Sequence, residues 1–75
     1  MPSVIVIIPA FNEENGIGQV IEEIPKEIVK EIVVVNNNSS DNTEQVAREK
    51  GAIVVVEPIA GYGRACKRGI EYVNQ

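Results

Sequence analysis

Val33-Val34-Val35-Asn36-Asn37-Asn38-Ser39-Ser40-Asp41-Asn42-Thr43 decides the fold. An apolar, β-branched run stops abruptly in polar residues, and a helix-like pattern opens behind them. This is how a buried strand delivers a polar loop to the carboxyl edge of a sheet, where open α/β sheets bind ligands. A second junction of the same kind lies upstream, at Ile7-Ile8-Pro9-Ala10-Phe11-Asn12-Glu13-Glu14. Two such exits suggest one site built from both.

Three runs lack the alternation of a half-exposed strand: Val4–Ile8, Ile32–Val35 and Ile53–Val56. Continuously apolar strands are covered on both faces, which is the habit of parallel sheets. Between them, Ile17, Val20, Ile21 and Ile24 fall at helical spacing, and Pro25 bars its predecessor from helical geometry. Asp41, with Glu44 three residues on, predicts a capping-box start to a second helix. Lys50 and Gly51 suit its last turn and C-cap. A third helix is expected from about Arg64, with Cys66, Ile70 and Val73 on its buried face.

The order is therefore βαβαβα. Right-handed crossovers place the first two helices on one face of a parallel sheet ordered 3-2-1, and the third on the other. The prediction is a single α/β domain over residues 1–75, a three-stranded parallel sheet with helices on both faces. A chain of 75 residues buries a small core. The third helix cannot cover three two-sided strands, and the first strand is left as an open edge. Either a homodimer or the remainder of a longer chain is expected to cover them.

Composition removes several classes. With no histidine, Ser-His and Cys-His nucleophiles and His-based metal sites are excluded. A net charge of −4, two tyrosines and one phenylalanine offer no basic, aromatic surface for nucleic acid. Cys66 has no internal disulfide partner and reads as a small buried residue. The run Val4–Ile8 is too short for a transmembrane segment or a signal peptide, so a cytoplasmic protein is expected.

At the first junction, Phe11 offers a packing surface, Glu13 an acceptor for hydroxyls, and Asn12 a cap for the helix that follows. At the second, the amides and hydroxyls from Asn36 to Asp41 exceed what a turn requires. The third is Gly61-Tyr62-Gly63-Arg64-Ala65-Cys66-Lys67-Arg68. Glycines before a helix let N–H groups approach an anion, and the basic residues suit a diphosphate. It is neither a P-loop nor a Rossmann fingerprint, whose glycines follow the first strand.

Together, the Val6–Glu14, Ile32–Thr43 and Gly61–Ala65 segments resemble the N-terminal part of family-2 glycosyltransferases, including the dolichol-phosphate-mannose-synthase-like branch. The resemblance runs through the whole chain. It implies the Rossmann-like half of a GT-A fold that binds a nucleotide-diphosphate sugar, UDP- or GDP-linked. Pro9, Ala10, Asn12 and Glu13 carry over as base and ribose contacts. Asn36 stands where the family usually has an aspartate that accepts from the base; it can accept through its amide oxygen. Asn38 replaces a usual glycine and can adopt the left-handed conformation. Ser39, Asp41 and Thr43 match, as do Gly61, Gly63 and Arg64 of the donor-facing loop.

The family's Asp-x-Asp metal motif does not occur in these residues. The resemblance implies Mg or Mn for a complete enzyme and none held by this chain. No catalytic residue is assigned, and the chain alone is expected not to transfer sugar. Two other readings stand beside this one. One is a non-catalytic α/β module that self-associates, with weak or no nucleotide binding. The other is a small Rossmann-type cofactor domain, disfavoured by its misplaced glycines.

Overall fold

The computed structural model describes residues 3–75. The elements are β1 (Val4–Ala10), α1 (Ile17–Glu23), β2 (Val29–Asn36), α2 (Thr43–Glu49), β3 (Ile53–Val56) and α3 (Tyr62–Val73). The sheet order is β1-β2-β3 with both pairs parallel, the predicted 3-2-1 arrangement seen from the other edge. Ala10 pairs with Asn36 and Asn36 with Val56. The three carboxyl ends therefore finish level, and their loops leave the sheet side by side.

β2 begins earlier than its apolar run. Val29 pairs with Val4, and the register then skips to Ile5 opposite Glu31. The pairing with β1 draws three further residues into the strand, with a bulge that absorbs Lys30. At the centre of the sheet, Val33, Val34 and Val35 are fully buried. Each contributes about 1.5–3 kcal/mol by leaving water. β1 and β3 are edge strands among the described residues, and most of their side chains are only half-buried.

The two faces are packed differently. Ile8, Ala10, Ile32, Val34 and Val54 face α1 and α2, where Ile17, Ile21 and Ala47 complete a core. α3 lies on the opposite face, mainly across β1 and β2. Its contact is close because Gly69 has no side chain. A Cβ there would sit 2.5 Å from Ile7 Cγ2 and 3.1 Å from Val35 Cγ2.

That approach sets the rotation of α3 and corrects the predicted face. Ala65 and Gly69 are buried, Cys66, Arg68, Tyr72 and Val73 half-buried, and Ile70 is 53% exposed. The helix presents its smallest residues to the sheet and turns Ile70 outward. α1 shows a similar shift: Val20 is exposed, while Gly18 is buried against Val46 and Lys50 of α2.

Helix ends follow the sequence more closely. Ile24, before Pro25, is extended, with φ −75° and ψ 128°. The Lys26 ammonium donates to the carbonyls of Ile21 (2.6 Å) and Ile24 (3.1 Å), serving the helix's unsatisfied end. Gly51 follows α2 with φ +92°, and its N–H donates to Arg48 O at 3.0 Å. The start of α2 differs from a capping box. Asp41 Oδ1 accepts the Thr43 N–H at 3.0 Å, but Glu44 pairs with Arg48 at 2.9 Å and does not reach back. No helix among the described residues is long and apolar enough to cross a membrane.

Candidate functional site

Above the level strand ends, the first two loops are stitched together. Asn12 sits in the left-handed region at φ 50°. Its N–H donates to Ser39 Oγ at 3.0 Å, and its Oδ1 accepts the Ser40 N–H at 2.9 Å. The Glu13 N–H donates to Thr43 Oγ1 at 2.8 Å, and the Glu14 N–H to Asp41 Oδ2 at 3.3 Å. The Thr43 hydroxyl donates in turn to the Asp41 carboxylate. That hydroxyl first, then the N–H groups of Thr43 and Glu14, hold the Asp41 carboxyl below its ordinary pKa.

This network corrects the expected role of Asn12. It does not cap α1, which begins only at Ile17, after a turn in which Glu13 O accepts from Gly16 and Ile17. A left-handed residue whose side chain reaches the neighbouring loop has no geometry left for capping. Asn38 adopts the left-handed conformation expected of it, at φ 62°.

Asn36 and Asn37 diverge because side chains alternate across a strand. Asn36 shares the face of Val34 and turns toward α2. Its Nδ2 lies 3.5 Å from Glu44 Oε1, and its Oδ1 accepts the Ser39 N–H at 3.3 Å. Asn37 takes the face of Val35 and reaches the third loop. Its Nδ2 donates to Glu57 O (3.0 Å) and Ile59 O (2.8 Å), and its Oδ1 accepts the Gly61 N–H at 3.0 Å. Its own N–H extends the β1 pairing to Ala10 O at 2.8 Å.

Between the loops lies a shallow cleft of about 470 Å³, lined by Pro9, Ala10, Phe11, Glu13, Asn37, Ala60, Gly61 and Tyr62. Of the residues singled out from sequence, Pro9, Ala10, Phe11, Glu13 and Gly61 line it. Asn12, Asn36, Asn38, Ser39 and Asp41 do not; apart from Asn38, they form the hydrogen-bonded framework beside it. Gly63 and Arg64 fall in the first turn of α3, beyond the lining. Asn37, Ala60 and Tyr62 also line it and carry no individual role from sequence. Strand alternation sets Asn37 on the face opposite Asn36, but not which of the two faces the cleft. Cys66, one turn below Tyr62, pushes the phenol's pKa up through a hydrogen bond.

Glu13 is the one carboxylate lining the cleft, and no three of His, Cys, Asp and Glu come together among the described residues. Asp41 is already engaged by Thr43 and Glu14. These donors do not fit a divalent cation held by the protein alone.

A parallel sheet whose polar loops enclose a cleft at its carboxyl edge defines an α/β fold of the Rossmann-like class, in which ligands bind at that edge. The profile of Glycosyl transferase family 2 matches residues 5–75, and the chain belongs to that family. It is 44% identical over 68 residues to an uncharacterized glycosyltransferase of Mycobacterium tuberculosis, covering 91% of this chain and 30% of that one. It is 40% identical over 67 residues to Protein RfbJ of Shigella flexneri, covering 88% and 52%. Glucosyl-3-phosphoglycerate synthase from M. tuberculosis, solved with UDP, superimposes with a TM-score of 0.84 at 32% identity, covering 93% of this chain and 29% of that one. The same enzyme has been solved with Mn²⁺, UDP and glucosyl-3-phosphoglycerate. The chain thus spans about a third of the mycobacterial proteins and about half of RfbJ. Its sheet is the Rossmann-like half of a GT-A fold, and the chain resembles the nucleotide-sugar-binding region of GT-A enzymes.

Proposed function

We propose that this chain is the donor-binding part of a family-2 glycosyltransferase, and that its cleft takes the nucleotide of a UDP- or GDP-linked sugar. The observation that carries this reading is the convergence of Pro9, Ala10, Glu13, Asn37 and Gly61 on one cleft, in a chain 32% identical to an enzyme solved with UDP. Pro9, Ala10 and Phe11 supply an apolar wall for a base. The Glu13 carboxylate accepts from ribose hydroxyls. The Gly61 N–H is engaged by Asn37, so the diphosphate falls to the first turn of α3. There the N–H groups near Gly63 and Arg64 have no partner within the helix, and the Arg64 guanidinium adds charge.

Asn12, Asn36, Ser39 and Asp41 serve this site by holding the loops at fixed separation, and Asn38 supplies the left-handed turn of the second loop. Chemistry at the sugar needs an acceptor site and a cation site outside these residues. The chain alone binds donor and does not transfer it. Its free Cys66 suits a reducing, cytoplasmic setting. The open edge of β1 suits cover by the rest of a longer chain or by a second copy.

The test is an amide-shift titration with UDP, GDP and UDP-glucose, with and without Mn²⁺. Shifts are expected at Ala10, Phe11, Glu13, Asn37 and Gly63, little changed by the metal. A chain whose spectrum stays constant at millimolar nucleotide is the inert module instead.

A further inference from the structure

The geometry points to Asn37 as the positioning residue of the cleft: a buried amide clasp that fixes the third loop against the other two. This goes beyond the donor-binding reading and rests on it only where a nucleotide is used as probe.

Asn37 is 6% exposed and makes contact with all three junctions. Its N–H holds Ala10 at the end of β1, and its side chain holds Glu57, Ile59 and Gly61. Two of those partners are carbonyls, so the atom facing them must be the amide nitrogen. Both of its hydrogens are used, and the oxygen takes the Gly61 N–H. Only a carboxamide satisfies all three partners at this length. A carboxylate keeps the acceptor but sets negative charge against two carbonyls, leaving them without donors. Gly61 cannot rearrange cheaply around the loss. Its φ of +137° suits glycine, and it opens the turn into α3.

The third loop has few other ties. The Glu57 N–H reaches Asn36 O at 3.0 Å, and the Ile59 N–H is met by Glu57's own carboxylate at 2.9 Å. Pro58, Ile59 and Ala60 are exposed. Without the Asn37 side chain, the wall formed by Ala60, Gly61 and Tyr62 loses its anchor to the sheet.

Asn37→Asp in the full chain tests this by its pH dependence. The introduced acid lies against the carbonyls of Glu57 and Ile59, which raise its pKa, and shares the cleft with the Glu13 carboxylate; the Gly61 N–H acts in the other direction. Protonated, it regains one donor; ionised, it has none. At pH 7.5 the resonances of Ile59, Ala60 and Gly61 should shift and broaden. They should return toward wild-type positions at pH 5, while those of Asn12, Ser40 and Thr43 stay put. Wild type over the same range corrects for Glu13 and Glu57. UDP affinity of the variant should be about tenfold weaker at pH 7.5, a loss of about 1.4 kcal/mol, and recover on acidification. An unchanged third loop, or unchanged UDP affinity at pH 7.5, overturns the assignment.

Should the variant fail to fold, hydrogen exchange of the wild type decides. The Asn37 side-chain amide protons and the Gly61 N–H should be protected, and exchange at solvent rates overturns the clasp. If wild type ignores UDP altogether, the donor reading fails, while the loop and exchange readouts still judge Asn37.

Discussion

The two sides of the cleft are built on opposite plans. The side formed by the β1–α1 and β2–α2 loops is laced by hydrogen bonds from Asn12, Glu13, Glu14, Ser39, Ser40, Asp41 and Thr43, so no one bond defines it. The side formed by the β3–α3 loop rests on one amide, with α3 behind it. Redundant bonds keep a loop in place when one is lost. A dominant anchor couples most of the wall to one side chain, and loops tied by few bonds are the ones that open locally.

That contrast can be broken most severely through α3. Gly69→Ala places a methyl 2.5 Å from Ile7 Cγ2. Overpacking should destabilise the chain by about 2–3 kcal/mol, read by urea denaturation, despite alanine's better helix propensity. Amide shifts should move along α3 and the third loop first and leave Asn12 to Thr43 nearly unchanged.

Next in size is Thr43→Val, which keeps shape and removes the hydroxyl at a fully buried position. It leaves the Glu13 N–H without its acceptor and removes one of Asp41's three donors, the N–H groups of Thr43 and Glu14 remaining. A loss of about 1–3 kcal/mol is expected in the same denaturation, the usual cost of a buried unsatisfied group. A loss confined to a few tenths would show that the remaining bonds carry this side alone.

The smallest effect is acid. Asp41's carboxyl is held below its ordinary pKa in the folded chain, chiefly by the Thr43 hydroxyl. The stability this gives is present above the unfolded pKa and is lost as pH falls through the folded value. Wild type should therefore weaken on acidification below about pH 4, and Asp41→Asn should lose part of that slope. Equal slopes in the two proteins would remove Asp41 from the laced side.

Most of the fold could be read from residue type alone. Three β-branched runs without alternation specify covered parallel strands, and Pro25 and Gly51 mark helix ends through backbone geometry that structure preserves. The site was legible only to the level of its loops. Which of Asn36 and Asn37 enters the cleft depends on where the pleat ends, and the abrupt change to polar residues hides that parity. Asn12 looks like a cap because an asparagine ahead of an apolar helical pattern usually is one. Its tie to Ser39 and Ser40 is a contact 27 and 28 residues away, which no local signal carries. Ile70 looked buried because apolar spacing was followed without allowing that Gly69 brings the helix nearer and turns it.

The bare rim of β1 has a practical consequence. Val4 is 44% exposed there, at the start of a β-branched run whose outer edge pairs with no strand among the described residues. Such a ribbon templates lateral stacking in concentrated solution. A lysine in place of Val4 should act as a gatekeeper, keeping the protein dispersed at the millimolar concentrations that spectroscopy of this chain demands.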